Sequence, residues 1–483
     1  MQSVPATVPL QRWEDLPGPR PWPVVGNALQ VERDRMHKQL EGWAARYGRP
    51  FKFRIASRRF LVISDPDTIA KVLRDRPDGF KRPSRVERIS REFGFLGLFS
   101  ANGETWKRQR PMVLGSFDPT HIKAFFPTLA GVTGRLARRW TRAAQSGATI
   151  DLQADLMRYT VDVTAALAFG EDINTLESNE DVIQVHLNHV LPALVRRSLA
   201  PFDTWKYFPT REDRQLQQHL KAIHASVQSF IAGTRRKLEE QPQLREKPVN
   251  LIQAMIAARD RETGGLRDED VSGNVLTMLL AGEDTTANTL AWLIWLLHRH
   301  PDALQRAAAE ARSVLGGAVC PAGPEQLWRL DWIEACANEA MRLKPVAPLI
   351  FNEALRATLV EGVRVERGDI VVCLMRAGSL QETNFAQAQA FRPERWLAGE
   401  GAAAHSLASA KRVVMPFGAG PRMCPGRYLA LAEIKMAAAM LLANFELQSV
   451  ATPGVDEPRE EIALTMYPVG LQMRLALPAA ASM

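Results

Sequence analysis

Phe417-Gly-Ala-Gly-Pro-Arg-Met-Cys-Pro-Gly426 is the segment from which the rest of the chain is read. Cys424 stands among turn-forming residues. Gly418, Gly420 and Gly426 tolerate positive φ and close backbone approach. An apolar helical pattern follows, from about Tyr428 to Leu442, so Cys424 lies near a helix N-terminus. There the free N–H groups and the macrodipole favour a thiolate. Arg422 adds positive charge and can bind a carboxylate. A stabilised lone thiolate suits a nucleophile or a metal ligand, although a lone cysteine in a turn is more often simply buried.

Other segments bear on this choice. A helical pattern runs from about Asp270 to His300, with Leu290, Leu293, Ile294 and Leu297 at i, i+3, i+4, i+7 spacing. Asp268 or Asp270 can cap it, and Pro301 stops it. Some 30 residues at 1.5 Å rise span roughly 45 Å, enough to cross a globule. Its middle, Ala281-Gly-Glu-Asp-Thr-Thr286, is polar and poor in helix formers. That pattern fits a helix that opens to make room for a ligand, or a kink with threonine back-bonding. Glu339 and Arg342 form an i, i+3 pair on a helix expected over Pro324–Leu343, and alone such a pair means little. Phe391-Arg-Pro-Glu-Arg395-Trp396 follows. Upstream, Trp106 and Arg110 lie one turn apart on one helix face.

The spacing Phe-x-x-Gly-x-Arg-x-Cys-x-Gly resembles the haem-ligand loop of the cytochrome P-450 family, the haem-thiolate monooxygenases. The other segments occur in that family's order. The resemblance implies a mainly α fold: a large helical domain, a long central helix and a small β-rich region, one domain over residues 1–483. Cys424 would be the axial thiolate of heme b. Phe417, Gly418, Arg422 and Gly426 would shape the loop around the cofactor, with Ala281 beside it. Trp106 and Arg110 would hold a propionate. Asp284 and Thr285 would carry protons to iron-bound oxygen. Glu339, Arg342 and Arg395 would form a structural cluster behind the thiolate loop.

Family placement also nominates an apolar substrate pocket: Phe95, Leu96, Leu98, Ala281, Val346, Ala347, Leu349, Ile350 and Met466. A hydrophobic substrate is expected, a steroid, terpenoid, fatty acyl or polycyclic compound, with hydroxylation as the reaction. Two departures stand out. Asn352 occupies the place where the family usually has a basic propionate ligand, with Arg356 a nearby substitute. Pro425 removes one N–H from the surroundings of the sulfur. A more electron-donating thiolate and a lower potential are expected from that loss.

Composition agrees with a globular enzyme. The 483 residues are 46% hydrophobic and 24% charged, with net charge +8. These values argue against a disordered or integral membrane chain. The four cysteines include no C-x-x-C pair, which excludes a zinc cluster and fits a reducing, cytoplasmic setting. No nucleic-acid motif occurs, and no apolar run is long enough for a membrane anchor. The Pro-rich opening, residues 1–30, reads as a stiff lead-in.

Strands are expected near Pro50–Ile55, Arg59–Ser64, Leu359–Val365 and Asp369–Leu374, and a loop over Gly378–Gly418. A chain without a fused reductase domain is expected, a monomer receiving electrons from a ferredoxin or flavodoxin with its reductase. Lys411, Arg412, Arg427 and Lys435 flank the loop as a docking face. His186 and His189 read as an exposed helix face. A peroxygenase, an isomerase or a haem sensor are the competing classes; the Asp284-Thr285 pair favours dioxygen chemistry over them.

Overall fold

The central helix spans Asp268–Arg299, and nearly every side chain from Val271 to Leu297 is buried except around Ala281 to Thr285. That is what a helix apolar on all sides requires. This computed structural model describes residues 11–117, 119–178, 182–260, 267–397 and 403–478. Of the two acids expected as caps, Asp270 makes the contact. Its carboxylate accepts the Arg267 N–H at 3.0 Å and Gln109 Nε2 at 2.8 Å. Asp268 is instead the first helical residue. Pro301 begins the next helix, Pro301–Leu315, at a position where its missing N–H costs nothing.

The helix Leu152–Phe169, capped by Asp151 on the Ala154 N–H at 3.1 Å, lies along the central helix. Close approach is possible because Gly282 has no side chain: a Cβ there would stand 2.3 Å from Thr164 Oγ1. The helix Arg427–Asn444, which follows Cys424, packs on the other side of the core. Trp140, Leu156, Tyr159, Trp292, Ile333 and Met440 are among the buried residues of this main cluster.

The β region is a five-stranded sheet. Its order is Phe51–Ile55, Arg58–Ile63, Ile370–Leu374, Leu349–Ala354, Phe80–Lys81. Phe51 pairs antiparallel with Val62, Phe60 pairs parallel with Ile370, and Leu349 pairs antiparallel with Leu374. A hairpin of Glu460–Ile462 and Met466–Pro468 lies apart from it, against the central helix.

Several boundaries differ from the sequence reading. Pro324–Leu343 is two helices, Pro324–Trp328 and Asp331–Leu343. The second starts afresh because Glu310 accepts the N–H groups of Trp332 and Ile333 at 2.8 and 2.9 Å. The expected loop Gly378–Gly418 contains a helix, Ala403–Val413. The strand expected over Leu359–Val365 is a tight hairpin turning at Glu361 and Gly362, both at positive φ. Within the lead-in, Trp13–Asp15 form a 3-10 turn, and Trp22 and Gly26 pair across a tight turn. Among the described residues no helix is long and apolar enough to cross a membrane.

Candidate functional site

The thiolate loop is built by docking onto the helix Pro66–Arg74. Gly420, at φ 70°, approaches so closely that a Cβ would stand 2.7 Å from the Arg74 Cα. Arg76 Nη2 donates to the Ala419 carbonyl at 3.1 Å. The loop closes on itself where the Cys424 N–H donates to the Phe417 carbonyl at 2.9 Å. Gly426 leaves room for Phe117, whose ring would be 3.8 Å from a Cβ at that position.

Cys424 is exposed to a water-sized probe, yet the protein around it raises its thiol pKa by desolvation. Both hold only if the sulfur faces an internal space. The Gly426 N–H, Arg110 and Arg427 act in the opposite direction and favour the thiolate. The N–H that Pro425 cannot supply is therefore provided one residue later. Ala281 shows the same signature: it is exposed in the middle of a helix whose neighbours Leu279, Leu280 and Glu283 are buried.

Four guanidinium groups converge beside the loop: Arg76, Arg82, Arg110 and Arg422. Desolvation lowers the pKa of each, and mutual repulsion lowers it further for Arg76, Arg82 and Arg422. Arg82 falls to about 9, and Arg76 and Arg422 to about 10. Their described bonds go to neutral oxygens. Arg82 Nε reaches the Phe99 carbonyl at 3.2 Å, Arg110 Nη2 the Met423 carbonyl at 2.5 Å, and Arg422 Nη2 the Ala101 carbonyl and Asn102 Oδ1. The Nε atoms of Arg110 and Arg422 are buried without partners. Trp106 is buried beneath Arg422, whose guanidinium lies 4.8 Å from its ring. Glu87 is the one carboxylate that acts on the cluster, on Arg422 and through Asn102 rather than by a described direct bond. Clustered cations so little compensated are costly, and the arrangement fits a group that brings two negative charges. The haem of the family is such a group.

Arg76 and Arg82 were not nominated by sequence. Asn352 is buried, bonded through Nδ2 to the Ile350 carbonyl and to Cys373 Sγ, with Oδ1 unpartnered. Arg76 lies within electrostatic reach of the same Cys373. Arg76 is thus a guanidinium close to the Asn352 position. Arg356 is on the surface, 3.4 Å from Asp75.

The central helix is unbroken through Ala281–Thr286, so the expected opening is absent. Threonine back-bonding is present instead. Thr285 Oγ1 donates to the Ala281 carbonyl at 2.9 Å and Thr289 Oγ1 to that of Thr285 at 2.8 Å, while Thr160 Oγ1 donates across from the helix Leu152–Phe169 to the Glu283 carbonyl at 2.9 Å. Burial raises Asp284 to about 6. Glu283, buried with Oε1 unpartnered, is raised well above the usual range by burial and by Asp284. Glu433, bonded to Thr286, is raised by burial to about 8. Neither glutamate was singled out by sequence.

Glu339, Arg342 and Arg395 are in contact and buried. Glu339 Oε1 accepts from Arg342 Nη2 at 2.8 Å, the Arg392 N–H at 2.9 Å and Arg395 Nε at 3.3 Å. Its Oε2 accepts from Arg342 Nε at 2.9 Å and Trp396 Nε1 at 3.0 Å. Arg342 Nη1 donates to the carbonyls of Ser379 and Ala388 at 2.6 and 2.7 Å.

Of the pocket residues, Ala281 is exposed and Leu96, Val346, Ala347, Leu349 and Ile350 are half-buried. Phe95 packs edge-on to Phe93 in the core, Leu98 is buried with it, and Met466 is wholly buried with Sδ 3.8 Å from Arg376 Nη1. These three stand behind the wall. Lys435 also departs from expectation: it is buried on Glu334 at 2.5 Å. Arg74, Lys411, Arg412 and Arg427 instead line a shallow depression of about 350 Å³ over the back of the loop. His189 is exposed and His186 half-buried, and both meet His219 on the next helix. His186 Nδ1 lies 2.8 Å from His219 Nδ1, and His189 stacks on His219 at 4.1 Å.

The fold and this arrangement define a haem-thiolate class of protein, and comparison with known proteins agrees. Residues 16–474 match the family model described as Cytochrome P450. The chain is 27% identical to Cytochrome P450 714C3 of Oryza sativa subsp. japonica, over 90% of this chain and 86% of that protein. It is 26% identical to Cytochrome P450 3A6 of Oryctolagus cuniculus, over 90% of this chain and 86% of that protein. It is 28% identical to a self-sufficient cytochrome P450 monooxygenase, CYP505E5, of Aspergillus kawachii, over 96% of this chain but 43% of that protein. The chain belongs to the cytochrome P450 family, oxidoreductases that incorporate molecular oxygen and carry haem on a cysteine thiolate.

Proposed function

We propose that this chain is a monooxygenase that hydroxylates a hydrophobic small molecule, with Cys424 as the haem ligand. The observation that carries the reading is the pairing of an enclosed yet accessible Cys424 with four guanidiniums whose described hydrogen bonds all go to neutral oxygens. Arg76, Arg82, Arg110 and Arg422 would hold the haem carboxylates, and the Gly426 N–H would stabilise the thiolate. Haem so bound supplies dioxygen activation, which thiolate ligation favours.

The chain's own residues supply the rest. Asp284, raised to about 6, lies close enough to neutrality to take up a proton transiently and pass it to the neighbouring Thr285 hydroxyl. Thr285, tethered to the Ala281 carbonyl, keeps its oxygen beside the exposed Ala281 surface. Leu96, Val346, Ala347, Leu349 and Ile350 exclude water and favour an apolar substrate. Steroid, terpenoid, fatty acyl and polycyclic skeletons all meet that requirement.

Electrons would come from a separate acidic ferredoxin or flavodoxin. It would dock on Arg74, Lys411, Arg412 and Arg427 behind the loop. Cysteines that are all free support a reducing, cytoplasmic setting.

The test is the difference spectrum of the reduced protein under carbon monoxide. A Soret band at the thiolate position, lost in Cys424→Ala, is expected. A band at the histidine position, or one that survives in Cys424→Ala, would overturn the ligand assignment.

A further inference from the structure

The segment that precedes the Trp106 helix is fastened to the central helix by direct backbone approach. A Cβ on Gly97 would stand 2.5 Å from the Gly273 carbonyl oxygen and closer still to Thr277 Oγ1. A Cβ on Gly273 would stand 2.7 Å from the Leu96 carbonyl oxygen. Chains come this close only where neither carries a side chain. Polar groups fix the register of the contact. The Leu98 N–H donates to Asn274 Oδ1 at 2.9 Å, and Asn274 Nδ2 donates to the Asp270 carbonyl at 2.8 Å. Gln109 Nε2 donates to the Asp270 carboxylate at 2.8 Å and reaches the Leu96 carbonyl at 3.4 Å. Asn274 is wholly buried in this joint. The far end of the segment is held as well: Arg82 Nε donates to the Phe99 carbonyl at 3.2 Å, and Arg422 Nη2 to Asn102 Oδ1 at 3.2 Å.

Gly273, Thr277 and Ala281 recur every four residues and so run along one side of the central helix. The segment covers that side at Gly273 and Thr277, both of which are buried. Ala281, one turn or about 6 Å further on, is exposed. The cover therefore ends between Thr277 and Ala281. At its edge Leu96 is half-buried, while Phe95 and Gly97 on either side of it are buried.

We propose that Asn274 is a positioning residue: by holding the Leu98 N–H it seats Leu96 as the end wall of the Ala281 surface, and that wall limits the length of substrate the cavity accepts. The proposal rests on the reading of that surface as the substrate face beside the haem. Loss of the Asn274 amide frees the segment from the helix and moves the wall away from Ala281.

The first experiment is hydrogen exchange read by mass spectrometry, which involves no turnover. Asn274→Ala should speed exchange in peptides covering Phe95–Ala101 about tenfold, the equivalent of one lost hydrogen bond, and leave peptides of the helix Arg427–Asn444 unchanged. Unchanged exchange over Phe95–Ala101 overturns the clamp.

The second experiment takes the dissociation constants of imidazole and of N-alkylimidazoles of increasing chain length from the Soret shift of haem-loaded protein. Each methylene that finds room adds about fourfold in affinity, and the gain stops at the chain length that meets the wall. Asn274→Ala and Leu96→Ala should each move that stop outward by about two methylenes, roughly tenfold in affinity for the longer chains, with imidazole itself bound as in wild type. A merely structural loss would weaken every member of the series alike and leave the stop in place. Leu96→Ala removes the wall without touching the clamp, so it decides the matter if Asn274→Ala gives no folded protein. If Leu96→Ala leaves the stop where it is in wild type, the wall is overturned. If Leu96→Ala moves the stop and folded Asn274→Ala does not, the positioning role of Asn274 is overturned. If no imidazole shifts the Soret band of wild type, the reading of the haem site fails and the wall with it, while hydrogen exchange still decides the clamp.

Discussion

Glu339 and Arg342 face each other in a two-pronged pair, 2.8 and 2.9 Å, with both side chains wholly out of solvent. Every remaining donor around them is used. Arg395, Trp396 and the Arg392 N–H complete the carboxylate, and three carbonyls complete the guanidinium. A buried pair removed from one side leaves an uncompensated charge, at about 3–5 kcal/mol. Glu339→Ala should therefore lower the denaturation midpoint sharply and yield little haem-loaded protein. Chemical denaturation and the haem-to-protein ratio measure both; normal haem content would contradict the role given to this cluster.

The guanidinium cluster makes a second prediction. Arg82→Gln and Arg422→Gln each remove a cation that the haem carboxylates would neutralise. A hydrogen bond to a charged group contributes about 1.5–3 kcal/mol, so haem should dissociate roughly ten- to hundredfold faster, as measured by transfer to an acceptor globin. Wild-type protein should prefer haem over its dimethyl ester, and the variants should lose that preference.

Glu433 sets a pH dependence. Its folded pKa, about 8, lies above the unfolded value near 4.5, because burial disfavours the carboxylate. The folded state therefore binds the extra proton between those values, and stability falls as pH rises from about 4.5 to about 8. At about 1.4 kcal/mol per pH unit, the loss by pH 7 is on the order of 3 kcal/mol. Glu433→Gln should flatten that slope and be more stable than wild type at pH 8 but not at pH 5. Urea midpoints across this range decide it.

The depression behind the thiolate loop makes the fourth prediction. Charge reversal at Lys411, Arg412 or Arg427 should slow reduction by an acidic ferredoxin several-fold at low salt, with the difference shrinking as salt rises. Lys435→Gln should leave the reduction rate alone and lower stability, because Lys435 is buried on Glu334. Stopped-flow reduction and thermal unfolding separate the two effects.

Motifs close in sequence were legible, and contacts across the chain were not. The loop through Cys424, the long helix and the Glu339 pair can be read because turn residues, periodicity and i, i+3 spacing are local. Arg76 and Arg82 were missed because nothing near them marks them out. They matter only because the turn after Pro66–Arg74 abuts the thiolate loop and because Arg82 lies against Phe99. Lys435 was misread because its charge suggested solvent, whereas its helix is buried on every side from Glu433 to Leu442. The opening expected at Ala281–Thr286 is absent: the helix runs unbroken there, packed closely on Thr164 where Gly282 has no side chain.

The family could be read from the chain directly, and the loop around Cys424 and the Asp284-Thr285 neighbours could be nominated from it, since each rests on residues a few positions apart. Only the tertiary structure decided which cations surround the cofactor's place and which apolar residues reach the cavity. It alone showed that Glu433 bonds Thr286 of the central helix. Those relations depend on packing between elements up to hundreds of residues apart, where burial and electrostatics act through space.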